Sequence, residues 1–392
     1  MRHTLGRALA VALLAAAPCA VPPAVGETSS WTSRGDAAAE GAHNDAHKRR
    51  PAANRSKAVP QQRAKTESHV VLPVYRPPTA SPQENAGALP KIPPPTIDGD
   101  RTSTIAKAPA PDENAAYEAF DQGKYLTALE LAAKAAEKGD PQAHTLIGRI
   151  YAEGDGAARN PALAAQWYAR GVELNDAQAM FAYGMLLAEG VGVAKNRQAA
   201  AEMFEAAAVR RHPLANYNLA LLFLSGDGKP ENPYRAFMHM QYAAESGVVI
   251  AQYGLGTLYA TGTGIEPNAF EAARWIGKAA VAGYAEAELD FGVLLFEGRG
   301  VPPDPQRGAR MFKAAAEQGL TVAQNRLARC YAHGAGVTMN AVEAARWHLI
   351  ARAAGVEDKS LDELVGRLSK ADRAKAESTA DAWREKWRLQ IE

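Results

Sequence analysis

Cys330 and His333 stand three residues apart, a spacing that on a helix brings a thiol and an imidazole near each other, as a nucleophilic thiolate needs. His43 and His47, four apart, have the spacing of a helical metal pair. Six Gly-x-Gly triplets, from Gly154/Gly156 to Gly334/Gly336, have the composition of phosphate-binding turns. None of the three reads through to chemistry. A Cys–His nucleophile also needs an orienting third group, and Cys330 takes the place held in equivalent stretches by Ile150, Leu186, Leu222, Leu258 and Leu294, so it reads as a core thiol. His43 and His47 lie in an aperiodic segment with no further ligands beside them. The glycine triplets sit between helical patterns and follow no strand, as a dinucleotide fingerprint would. There is no Ser-x-x-Lys and no metal-spaced Cys/His set. The residues therefore point to no catalytic group, no cofactor and no metal.

The glycines have another meaning. Gly154, Gly190, Gly226, Gly262, Gly298 and Gly334 are spaced by 36 residues, and Gly156, Gly192, Gly228, Gly264, Gly300 and Gly336 repeat in the same register. A period of that length is the signature of a solenoid. Six full units begin at Pro141, Ala177, Pro213, Val249, Ala285 and Thr321, and the last ends at Val356. Ahead of them, 116–122 and 125–138 read as a shorter helix pair around Gly123-Lys124.

Each unit reads as helix, turn, helix. The first helix carries an i, i+4 apolar pair (Ile147/Tyr151, then Tyr183/Leu187, Leu219/Phe223, Leu255/Tyr259, Phe291/Leu295, Leu327/Tyr331), which makes one buried stripe. The residue after the first of each pair stays small (Gly148, Gly184, Ala220, Gly256, Gly292, Ala328), so the second helix can approach closely. The first turn glycine falls where a helix end favours a left-handed residue. Asn160, Asn196, Asn232, Asn268, Asp304 and Asn340 then supply the short oxygen that caps the second helix, and Pro161, Pro233 and Pro305 follow at its first position, where proline is harmless.

Ala143, Gly148, Tyr151, Gly154, Gly156, Asn160, Ala164, Trp167 and the closing Ala279-Ala280-x-x-Gly283 together resemble the Sel-one-like repeat, a branch of the tetratricopeptide-like family. The resemblance covers about 115–356. It implies an all-α, right-handed solenoid of antiparallel helix pairs whose first helices line a concave face, and a role in scaffolding or binding other proteins. It names no substrate.

The flanks differ in kind. Residues 1–26 have the pattern of an export signal: Arg2 and Arg7, an apolar run over 8–17, and Ala24-Val25-Gly26 before Glu27. Cys19 raises a lipoprotein alternative, but Pro18 is a poor fit to the small residue expected before an acylated cysteine, and ordinary cleavage is the better reading. Residues 27–112 are Pro-rich with few large apolar residues, the composition of a disordered or extended linker. Within it, 48–65 carries seven positive charges and no acid, which could adhere to an anionic envelope surface or simply solvate a tether. At the other end, 357–392 reads as capping helices: Leu361, Leu364, Val365 and Leu368 share a face, Ser369 with Asp372 resembles a capping box, and Trp383 and Trp387 share another face.

A net charge of +1 over 392 residues gives no case for nucleic acid, and no stretch is long and apolar enough for a transmembrane helix. The expected function is an exported, periplasmic or secreted scaffold that binds a partner protein. The alternative is a cell-wall-associated factor or a weak cell-wall or β-lactam hydrolase. If the first helices line the concave face, the candidate contact residues are Phe181, Tyr217 and Tyr253 at the Thr145 position, Arg149, Met185, Leu221 and Arg329 at the Arg149 position, and Leu224 and Phe296 at the Ala152 position. A competing reading packs Phe181, Tyr217 and Tyr253 between neighbouring units as core.

Overall fold

A computed structural model describes residues 114–391, all of which fall within the unit Thr79–Glu392. The export signal, the linker and the basic stretch 48–65 lie outside the described residues. Among those described there are sixteen helices and no strand. A short pair, α1 (Ala115–Asp121) and α2 (Tyr125–Glu137), precedes six regular pairs. These are α3 (Pro141–Glu153) with α4 (Pro161–Glu173), α5 (Ala177–Glu189) with α6 (Arg197–Val209), and α7 (Pro213–Ser225) with α8 (Pro233–Glu245). Then come α9 (Val249–Thr261) with α10 (Ala269–Val281), α11 (Ala285–Glu297) with α12 (Pro305–Glu317), and α13 (Thr321–His333) with α14 (Ala341–Ala353). The chain closes with α15 (Lys359–Arg367) and α16 (Lys370–Ile391). Each helix packs on its pair partner and each second helix on the first helix of the next unit, which makes a solenoid.

The local chemistry of a unit is as the residues require. The first turn glycine is left-handed in all six units, with φ between 68° and 86°. The Asn160 and Asn268 side chains accept from Leu163 N and Glu271 N at 3.1 Å, and the other four caps repeat the bond. The small residue of the first helix faces the second. A Cβ on Gly148 would lie 2.6 Å from the Tyr168 ring, and one on Gly292 2.6 Å from the Phe312 ring. Ala220 and Ala328 occur in the units whose second helices carry Met240 and His348 in that place.

The second turn glycine does something else. Its backbone is also left-handed, but it presses on the preceding unit. A Cβ on Gly264 would lie 2.1 Å from the Pro233 carbonyl oxygen, and one on Gly336 2.0 Å from that of Pro305. Each unit thus seats its turn on the first residue of the previous second helix. The glycine is a stacking contact as well as a turn residue.

The end after α14 is covered by α15 and α16. Asp358 caps α15 and is almost fully buried; it accepts from Leu361 N (3.3 Å), Ser360 Oγ (2.8 Å), Asn325 Nδ2 (3.0 Å) and Arg329 Nε (2.7 Å). Burial alone would raise its pKa, but the donors Asn325, Ser360 and Arg329 prevail and hold it at about 2. Because the folded pKa lies below the unfolded one, this carboxylate stabilises the fold above about pH 4 and ceases to do so as pH falls towards 2. Acid titration followed by Trp383 and Trp387 fluorescence should show the C-terminal helices loosening across that window. Asp358→Asn should remove this transition and lower stability at pH 7 by about 1–2 kcal/mol. An unchanged acid transition in that variant would assign the loosening to other groups. Along α16, Ala376 and Ala380 are buried, Trp383 lies edge-on to Trp347 at 6.0 Å, and Trp387 stacks on Trp383 at 5.4 Å. A Cβ on Gly319 would meet the Trp387 ring at 2.3 Å, so α16 reaches back to the α12–α13 connection.

Candidate functional site

The residues at the Thr145 position point along the stacking direction onto the start of the next first helix. Thr145 Oγ1 donates to the carboxylate of Asp176, the cap of α5. The Phe181 ring stacks on His212, the cap of α7, at 4.7 Å and 21°. Tyr253 packs against Tyr284 at 5.3 Å, and its hydroxyl donates to Asp290 Oδ2 at 2.8 Å. Asn325 donates to Asp358, the cap of α15. Four of the six residues of this column thus join their unit to the next, Thr145 and Asn325 through polar bonds and Phe181 and Tyr253 through their rings.

That geometry corrects part of the expected contact set. Tyr217 is 0% exposed, Phe181 4% and Met185 6%, so these three present no surface to a partner, and Phe181 and Met185 meet the next unit at His212 and at Asn218 Nδ2. The physical reason is direction. A side chain leaning towards the next unit is covered by that unit's cap residue, and a large ring fills the joint best. Burial also explains the electrostatics here: it pushes the Tyr217 and Tyr253 hydroxyls up, the latter further raised by Asp290, and holds the His212 ring down at about 4. Neutral His212 accepts from Ala215 N at 3.1 Å as a helix cap, with its other nitrogen 2.8 Å from Gln178 Oε1.

The remaining candidates stay at least partly open. Leu221, Leu224, Tyr253 and Phe296 are half-buried, and Arg149 and Arg329 are exposed. Arg149 pairs with Glu153 at 3.0 Å and lies 4.6 Å over the Phe120 ring. Arg329 is engaged by Asp358. Phe296 stacks parallel on Phe312 at 5.3 Å, leaning on its own second helix above Gly308. The sequence reading missed Leu214 and Ile250, both half-buried and seven residues before Leu221 and Thr257, hence on the same helical face. That i, i+7 recurrence was the available signal. Leu214, Leu221, Leu224, Ile250 and Val293 form a partly open apolar strip across α7, α9 and α11.

Cys330 lies in the core with Phe312, Leu327 and Trp347, and burial pushes its thiol up to about 12, away from thiolate reactivity. His333, three residues on, is exposed at the helix end. Among the described residues no group of three or more His, Cys, Asp or Glu side chains could hold a metal ion, and no helix is long and apolar enough to cross a membrane.

The Sel1 repeat matches the chain at residues 122–140, 141–176, 177–208, 213–248, 249–284, 285–320 and 321–356. The chain belongs to the Sel1 repeat family. The first match, 122–140, places α2 in the series as well. Among solved structures, a Sel1 repeat protein from Oxalobacter formigenes is 26% identical, with a TM-score of 0.56 over 64% of this chain and 100% of that one. A protective antigen of uropathogenic Escherichia coli strains, described as displaying an SLR fold, is 25% identical with a TM-score of 0.49, covering 70% of this chain and 68% of that one. No curated protein matches the chain. Sel1 repeats generally mediate protein–protein interaction, and their solenoid is typically a non-catalytic scaffold.

Proposed function

We propose that this Sel1 repeat chain is an exported, non-catalytic scaffold that holds a partner protein against the open face of its first helices. The observation that carries the reading is the apolar strip on α7, α9 and α11, half-open in consecutive units, with exposed Arg329 on the neighbouring first helix α13. Apolar side chains aligned across neighbouring helices are anchors for a helix or an extended segment of a partner. The export part of the proposal rests on the pattern of residues 1–26, and places the protein in a periplasm or outside the cell.

The test is capture of partners from the cell envelope by the full chain, compared with Leu221→Asp/Val293→Asp. Both positions are half-buried, and Val293 packs against the core, so the variant should keep its helicity but lose some stability, and binding is compared well below its melting temperature. Its affinity for the captured partner should fall by about thirtyfold or more, the scale of a lost hot spot. An unchanged partner set would remove this face from the proposal. Turnover of a cell-wall or β-lactam substrate by the purified chain would overturn the non-catalytic reading.

A further inference from the structure

The second helices have an outer surface of their own, and on α8 and α10 it departs from the rest of the solenoid. Eight large apolar side chains are exposed among the described residues, and Tyr234, Met238, Phe270 and Val281, half of them, belong to these two helices. Tyr234 and Phe270 hold the same place in consecutive units and are 64% and 66% exposed. Gln198 and Gln306 hold that place in the flanking units. Such a concentration of exposed rings on one face marks an interaction site.

The same two helices border a cleft. It measures about 760 Å³, within the size range of binding pockets, and in it Tyr259, Ile265, Pro267 and Trp275 stand among polar side chains that include Gln241, Gln252 and the Glu271–Arg274 pair. Its rim carries both signs of charge. Glu245 and Glu266 have no ion-pair partner among the described residues, and the Lys278 ammonium, 3.8 Å from the Trp275 ring centroid, has none either. Exposed rings, cleft and both charges therefore belong to the same two neighbouring helices, so a second copy of this surface can supply what the first one lacks.

We propose that the outer face of α8 and α10 is a two-fold dimer interface, in which Phe270 of one copy enters the cleft between α8 and α10 of a second copy, and reciprocally. A two-fold contact requires one patch to supply both halves of each interaction, and this patch does so for apolar and charged groups alike. The rings form the desolvated centre; Glu245 and Glu266 of one copy face Lys278 of the other at the rim. This interface is independent of the first-helix face, so a dimer would present two partner-binding strips.

Sedimentation equilibrium of the full chain across the micromolar range is expected to show a monomer–dimer equilibrium. Phe270→Glu/Tyr234→Glu is expected to weaken it at least about thirtyfold while leaving helicity and melting temperature unchanged, since both rings are exposed. A chain that stays monomeric throughout would overturn the proposal. So would a dimer whose dissociation constant ignores both substitutions, or a monomer that loses a foreign protein partner when they are made.

Discussion

Gly300→Ala should cost about 3–4 kcal/mol in urea unfolding, whereas Gly334→Ala should cost only about 1–2 kcal/mol. Both glycines are left-handed, with φ of 70° and 68°, so the conformational penalty for a side chain is common to them. Their surroundings differ. A Cβ on Gly334 would find its nearest neighbour, Met339 Cβ, at 3.5 Å, which is ordinary contact. One on Gly300 would lie 1.9 Å from the Ala269 carbonyl oxygen, and that atom belongs to the backbone of α10 and cannot rotate away. The turn must lift from the preceding unit, and the lost seat adds to the strain. Equal losses in the two variants would confine Gly300 to a turn role and remove it from the stacking contact.

This pair of glycines marks where the sequence stops being legible. Their recurrence every 36 residues is visible in the chain, and the left-handed role of the first follows from its place between an apolar stripe and an Asn cap. The role of the second does not follow, because a period shows that a residue recurs but not which carbonyl it meets in another unit. The caps and the small-residue contacts were legible because they are local, within one helix pair. The joint residues were not. Phe181 lies between the Phe204 ring of its own unit and the His212 ring of the next, and a helical wheel of one unit cannot show the second contact, so it cannot tell a groove from a joint. The closing helix shows the same limit. A seventh first helix in register would begin at 357, but α15 begins at Lys359, and Asp358 still receives Asn325 and Arg329 as Asp176 receives Thr145. The joint chemistry persists after the 36-residue period has ended.

If the Thr145 column is the joint, Tyr217→Ala should be among the most damaging substitutions in the chain, at about 3–5 kcal/mol. Tyr217 is the largest side chain with essentially no exposed surface, and its removal leaves a cavity that helices α7 and α9, fixed by their own pair partners, cannot close. Leu224→Ala, also on α7 but partly open, should cost much less, about 1 kcal/mol. The manner of unfolding should change too. A solenoid's stability is a sum of unit and nearest-neighbour terms, so a weakened joint in the middle divides the array into two blocks that no longer melt together. Hydrogen exchange in Tyr217→Ala is therefore expected to rise first in α7 and α9, while α3 and α14 keep their protection, and the urea transition should broaden or split. A single transition with a loss below about 1 kcal/mol would mean that the ring is buried without coupling the units. In that case Phe181 and Tyr253, which touch the next unit through His212 and through Tyr284 and Asp290, would carry the coupling alone.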